Sequence, residues 1–196
     1  MTAADHRTLP RRRGEQLEKA ILEAAFAELG EVGYANLTIE RVAARARTGK
    51  ASVYRRWPSR ADLVSDVFHS LLPDPEAPPD TGTLRGDLLA TFRQTAAFLA
   101  GPAGEALRGL LADVLPDAAR TAELRRRSNQ TSARTLEVIA GRAVARGEIH
   151  ETSVTPWRLQ AGPALLRQQF LFEGPHRLDA AIPAIVDEVL IPLLSG

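Results

Sequence analysis

Residues 37–63, LTIERVAARARTGKASVYRRWPSRADL, constrain this chain more than any other stretch. Ile39, Val42, Ala43 and Ala46 recur at helical spacing, with Thr38 placed to N-cap them and Glu40 near the positive end of the helix dipole. Gly49 breaks the pattern, and a second short helix is expected from about Lys50 to Arg56. Pro58 cannot continue it, and Ser59 followed by Asp62 has the form of a capping box opening a further helix through about Leu72. Between Arg41 and Arg60 stand seven Arg or Lys residues and no Asp or Glu. Two short helices about a tight turn, uniformly cationic, fit the phosphate backbone of DNA.

The charge balance of the whole chain supports the same division. Residues 1–60 carry 12 Lys and Arg against 7 Asp and Glu, a net of +5. Residues 61–196 carry 13 against 17, a net of −4. Only the first part is then suited to nucleic acid. The absence of cysteine excludes disulfides, zinc thiolates and cysteine nucleophiles. The N-terminus has charges but no apolar run, so no signal peptide is expected. No uncharged run approaches the roughly 20 residues a bilayer requires. A cytoplasmic protein is expected.

Helical patterns fill the rest of the chain and no strand alternation of useful length occurs, so an all-α fold of about nine helices is predicted. Residues 1–14 read as a flexible basic arm, within which Arg11, Arg12 and Arg13 are candidates for a minor groove or the phosphates. A helix starts at Glu15 and carries Leu17, Ile21, Ala24, Ala25 and Leu29, with Gly33 suited to a left-handed cap. Residues 15–60 then form a three-helix DNA-binding domain. Residues 61–82 form a connecting helix and a Pro-rich linker, PDPEAPPDTGT. Residues 83–196 form a helical bundle. In it, the helix from Trp157 to Phe172 is expected to bend near Gly162 and Pro163.

A helix-turn-helix places its second helix in the B-DNA major groove, where exposed side chains reach base edges and flanking ones hold phosphates. Lys50, Ser52, Arg55 and Arg56 are the polar residues of that helix, Ala51 is small enough for close approach, and Val53 is expected to pack inward. Thr48 stands in the turn. Tyr54 and Trp57 each combine an apolar body with one polar donor, as suits a protein–phosphate boundary. Arg60 sits in the first turn of the next helix, where a cation opposes the dipole, so a phosphate nearby is the expected reason for it.

Gly33-Tyr34, Thr38 with Val42-Ala43, Lys50, Ser52, Val53-Tyr54, Trp57-Pro58-Ser59-Arg60 and Leu63 together resemble the N-terminal domain of the TetR family of bacterial transcriptional regulators. The resemblance is strong over residues 15–63. It implies that Thr38, Tyr54 and Arg60 contact phosphates and that Lys50, Ala51 and Ser52 face the major groove. Trp57 stands where the family usually has Phe, Gly49 where Ser often caps, Arg56 where His is common, and Arg47 where a turn Gly is common. A left-handed conformation at Arg47 would be mildly strained.

The resemblance also implies a C-terminal domain that binds a small-molecule effector within a helical bundle and dimerises through its last two helices. Phe92, Phe98, Trp157 and Phe170 are candidate pocket walls, and Arg93, Gln160 and Gln169 candidate polar anchors. Ile182, Ile185, Val186, Val189, Leu190 and Leu193 form a wide stripe, and Leu165 and Leu166 add a second apolar helix. Two such helices suit half of a four-helix dimer seam, or else the protomer's own core. Gly49-Lys50 fails as a phosphate-binding loop because Ala44 and Ala51 replace the required Gly and Ser or Thr. His6, His69, His150 and His176 show no ligand spacing. No enzyme activity, metal or cofactor is expected. The expected function is a dimeric repressor on a pseudo-palindromic double-stranded operator, released by an effector. The rival is a helical ligand-binding or protein-interaction module whose basic face serves solubility.

Overall fold

The computed structural model describes residues 14–196, and the regular structure among them is helical. The chain divides into two compact units. The first takes the described residues up to Leu72 together with Glu105–Pro116, and the second takes Pro73–Gly104 with Asp117–Gly196. The division at Leu72 assigns the expected connecting helix to the first unit and the Pro-rich stretch to the second.

The first unit contains α1 (Glu15–Asn36), α2 (Ile39–Arg45), α3 (Lys50–Tyr54) and α4 (Arg60–Leu71). It also takes the stretch from Glu105 onward of α6 (Pro102–Val114). Gly33 has φ 71° and ψ 171°, a conformation open to glycine, and it separates a last turn at Tyr34–Asn36 from the body of α1. Thr38 caps α2 by accepting from the Arg41 N–H, and Ser59 with Asp62 forms the reciprocal box that opens α4. Ile21, Ala25, Leu29, Val42, Val53, Leu63, Val64 and Leu110 form the core. Each large side chain among them contributes roughly 1.5–3 kcal/mol by leaving water. At Gly109 of α6, an added Cβ would lie 2.7 Å from Tyr34, so these two elements meet at a distance only a bare backbone permits.

The second unit contains α5 (Leu84–Ala100), α7 (Ala118–Ala145), α8 (Pro156–Phe172), α9 (Leu178–Ala184), a π-helical turn at Ile185–Leu190, and α10 (Ile191–Ser195). Thr83, Asp117 and Thr155 cap α5, α7 and α8 through their side-chain oxygens. The Pro-rich stretch is strapped to α7. Arg142 donates to the Pro78 and Pro79 carbonyls at 3.0 and 3.1 Å, and Arg134 grips Glu76 with two nitrogens at 2.5 and 2.7 Å. Asp87, fully buried, accepts from the Thr81 N–H and hydroxyl at 2.6 and 2.7 Å and from Arg146 at 3.3 Å.

The helix α8 is continuous through Gly162 and Pro163, and Gly162 packs where a Cβ would meet Leu190 and Phe92 at 2.5 and 2.9 Å. One sequence expectation changes in the last helix. The apolar stripe of the last helix loses its α register. The π turn precedes Pro192, which has no N–H to offer an α-helical ladder, and the wider turn brings Leu190 and Leu194 to the core while Leu193 is 36% exposed.

Candidate nucleic-acid interface

Between α2 and α3 the chain closes on itself through the Ala46 N–H to the Val42 carbonyl at 2.9 Å and the Thr48 N–H to the Ala43 carbonyl at 2.9 Å. This turn requires a positive φ, and Arg47 adopts it at 53°, the residue that the sequence places where glycine is common. Gly49 then precedes α3 in extended conformation, and its carbonyl accepts from the Ser52 N–H at 2.9 Å. Val53 is fully buried and fixes the rotation of α3. Lys50, Ala51, Tyr54 and Arg55 are consequently exposed on one face, with Ser52 and Arg56 half-buried beside them. Regular α3 ends at Tyr54, short of the expected Arg56, and the Arg56 and Trp57 N–H groups both reach the Val53 carbonyl, at 2.9 and 3.0 Å.

The cations of this segment have separate employments. Glu28, on the buried stripe of α1 and only 4% exposed, accepts from Arg41 Nε at 2.6 Å and Arg45 Nε at 2.7 Å. Arg45 also pairs with Glu31. The Arg41 bond, aided by Arg45 and opposed by burial, holds the Glu28 carboxyl below its ordinary range. Arg47, Lys50, Arg55 and Arg56 have no carboxylate within ion-pairing distance, and so no internal counter-charge, among the described residues. Thr38 is exposed at the start of α2, its oxygen accepting from Arg41 and its hydroxyl proton available.

One residue expected at the phosphate boundary, Trp57, is turned inward, and Arg60, about a third exposed, has partners within the fold. Trp57 is 3% exposed and its indole N–H donates to Asp66 at 2.8 Å, so it packs beneath α3 and offers no donor outside. Arg60 lies over the Tyr34 ring at 4.3 Å and donates to the Tyr34 and Ala35 carbonyls, each at 3.2 Å, and to Asp113 at 3.2 Å. These partners give a reason within the fold for a cation at the start of α4. Arg11, Arg12 and Arg13 lie outside the described residues. Sequence reasoning missed Glu28 and Asp113. The first had a signal, an acid on the stripe Ile21, Ala24, Ala25, Glu28, Leu29; the second had none, being 79 residues from the tyrosine it binds.

The residues expected for effector and partner contact lie in the second unit. Phe92 and Phe170 are core, at 4% and 1% exposure. Trp157 is 85% exposed and lines no interior wall. Arg93 is exposed, 3.8 Å from Asp179, while Phe98, Gln160 and Gln169 are half-buried. Of the expected dimer stripe, Leu166, Ile182, Ile185, Val186 and Leu190 are spent on the protomer's own core, at 6% exposure or less. Leu165 and Leu193 are partly exposed and Val189 half-buried.

Two family models match this chain, bacterial regulatory proteins of the tetR family over residues 21–67 and the tetracyclin repressor-like C-terminal domain over residues 78–189. An uncharacterized HTH-type transcriptional regulator of Mycobacterium tuberculosis is 33% identical over 180 residues, covering 91% of this chain and 88% of the relative. A DNA-binding transcriptional repressor TetR of Mycobacteroides abscessus is 30% identical over 193 residues, covering 93% and 96%. Among solved structures, the TetR family transcription regulator SCO0332 superposes with a TM-score of 0.66 at 29% identity, covering 90% of this chain and 97% of that one. The SmeT–triclosan complex shares the fold, with a TM-score of 0.59 at 19% identity over 91% of each chain. No helix among the described residues is long and apolar enough to cross a membrane. With a helix-turn-helix built and charged as above and both family models matched, this chain belongs to the TetR family of helix-turn-helix transcriptional regulators.

Proposed function

We propose that this regulator is a cytoplasmic repressor that occupies a two-fold operator as a homodimer and leaves it when a small molecule binds the second unit. The observation that carries the reading is the exposed face of α3, where Lys50, Ala51, Tyr54 and Arg55 stand together beside cations that no carboxylate among the described residues neutralises. Lys50, Ala51 and Ser52 read base edges. Thr38, Thr48, Tyr54, Arg55 and Arg56 hold the phosphates on either side. Two copies of α3 then enter successive major grooves, about 34 Å apart.

The dimer face is the exposed side of α8, where Trp157, Leu165 and Phe172 share one side of the helix at 85%, 38% and 78% exposure, continued by Leu193. Effector binding draws support from Thr91 on α5, whose hydroxyl is buried with no partner in the described structure, and from the capture of triclosan by SmeT, a protein of the same fold. The protein acts by changing its affinity for DNA and has no chemical step to perform. Release follows if the ligand prefers the conformation that cannot hold the operator.

Footprinting on the DNA upstream of the protein's own gene, against scrambled DNA across a salt series, tests this. A two-fold-symmetric footprint and a preference of about a thousandfold or more are expected. Equal, salt-sensitive binding to both DNAs contradicts sequence-specific repression.

A further inference from the structure

Most arginines of the second unit meet a carboxylate, whereas Arg167, like Arg125 and Arg158, does not among the described residues. Arg85 grips Asp187, Arg134 grips Glu76, Arg126 grips Glu123, and Arg146 lies among Asp80, Asp87 and Glu148. Arg167 is half-buried on α8 and meets no carboxylate among the described residues. Its Nη1 reaches Ser128 Oγ of α7 at 3.4 Å, the long limit of a hydrogen bond. Carboxylate neighbours push Arg85, Arg126, Arg134 and Arg146 up from the ordinary guanidinium value, whereas burial alone pulls Arg167 down. Removing a cation from water without a counter-charge is costly, and a surface arginine has no reason to bear that cost.

What α7 offers opposite Arg167 is equally specific. Ser128, Thr131, Ser132 and Thr135 follow the spacing of one helix face, and all four are half-buried. A helix face covered by a neighbour is ordinarily apolar, as α7 becomes further on with Leu136, Ile139 and Ala143. Here it is a row of hydroxyls. The Thr131, Ser132 and Thr135 hydroxyls donate to the carbonyls of Arg127, Ser128 and Thr131, at 3.2, 2.8 and 3.0 Å. Such bonds to a helix's own backbone add little, and the rotors can turn to an external acceptor without leaving a helical carbonyl unbonded. Leu124 lies one turn before Ser128 and Leu171 one turn after Arg167, both partly exposed.

We propose that Arg167, Ser128 and the hydroxyl row of α7 form a seat for the carboxylate of a small organic acid, and that such acids are the effector class of this regulator. The planar guanidinium gives two parallel N–H donors to the two carboxylate oxygens, and the hydroxyls turn to donate to the remaining lone pairs. Leu124 and Leu171 meet the apolar body. This assignment rests on the reading of the protein as a ligand-released repressor.

The test uses the full chain, with octanoate and benzoate as probes and octanamide and benzamide as their neutral counterparts, followed by calorimetry. The acids are expected to bind on the order of tenfold or more tighter than the amides. R167M should erase that preference and R167K should keep part of it. The ligand-free R167M protein should melt about 2–4 °C higher than the wild type, because an uncompensated buried cation has been removed. Equal affinity for acid and amide, no acid binding up to millimolar concentration, or an acid preference that survives in R167M overturns the proposal. So does an R167M protein that melts lower or loses its dimer by light scattering, since the arginine is then structural or paired across subunits. Footprinting on the upstream DNA separates the two readings. An operator footprint without acid preference removes the carboxylate seat alone, while acid preference without any footprint removes the repressor reading alone.

Discussion

The guanidinium of Arg60 lies over the ring of Tyr34, 4.3 Å from its centroid, and the Tyr34 hydroxyl donates to Asp113 at 2.6 Å. Arg60 in turn donates to Asp113 and to the two carbonyls that end α1. One arginine thereby ties the first turn of α4 to the last turn of α1 and to the Glu105–Pro116 segment of the same unit. Replacing Arg60 by Met or Tyr34 by Phe is expected to cost about 1–2 kcal/mol each. A double-mutant cycle followed by thermal melting should find the pair coupled by about 0.5–2 kcal/mol; strict additivity would show that the ring and the guanidinium do not interact.

The same contact carries a pH dependence. Burial first, then the bond to Asp113, pushes the Tyr34 phenol above its ordinary range. In the unfolded chain it ionises near pH 10. The folded pKa is therefore the higher one, so the stabilisation is complete below about pH 10 and is lost as pH rises further. Tyr34→Phe should melt with a flatter alkaline limb than the wild type, and superimposable limbs would count against the assignment.

Glu28 works in the opposite direction. Its carboxyl is held low chiefly by the Arg41 bond, so its contribution is complete above about pH 4.3, the unfolded value, and is lost as pH falls below it. Glu28→Ala leaves two arginines without their shared acceptor and should cost about 3 kcal/mol at neutral pH. Urea titrations at pH 7 and pH 3 check this, and the difference between mutant and wild type should shrink at the lower pH.

Two glycine replacements in helices should move stability in opposite directions. Ala in place of Gly gains up to about 1 kcal/mol of helix propensity. At Gly109 that gain meets a contact of 2.7 Å with Tyr34, and overpacking of this kind costs about 1–3 kcal/mol. Gly109→Ala is expected to lower the melting temperature. Gly141, in α7, has nothing within 4 Å of an added Cβ, so Gly141→Ala should raise it. A stabilising Gly109→Ala would mean that α6 does not sit as close to Tyr34 as described.

On DNA, the free cations and the tied ones should part company. Arg55→Ala should lower the slope of log affinity against log salt by about 0.9 for the one phosphate released. Arg60→Met should leave the slope alone while lowering stability. Lys50→Ala should alter the preference among variant operators more than the slope. Anisotropy titrations at several salt concentrations measure all three, and a slope lowered by about 0.9 in Arg60→Met would restore Arg60 to the phosphates.

Much of the first unit was legible because its signals are local. Thr38 and Ser59 announce helix starts by chemistry that acts within three residues, and Val42, Val53 and Leu63 follow periods that a helix imposes on its own sequence. The left-handed turn at Arg47 could be anticipated from the same short range. The second unit was legible as helices and not as surfaces. Periodicity identifies an apolar face without naming what covers it, and for Leu166, Ile182, Val186 and Leu190 the cover is the protomer itself.

The sequence by itself determined the helical class, the helix-turn-helix and the excess of positive charge on it, because capping, period and charge count are properties of neighbouring residues. Only the tertiary structure decided which cations remain available. Arg41 and Arg45 are taken by a buried acid on α1, Arg60 by a tyrosine ring and by Asp113, and Arg167 is left facing hydroxyls. Whether a charge is neutralised depends on which side chain the fold brings within a few ångströms, and residues 79 positions apart carry no mark of that meeting in the order of the chain.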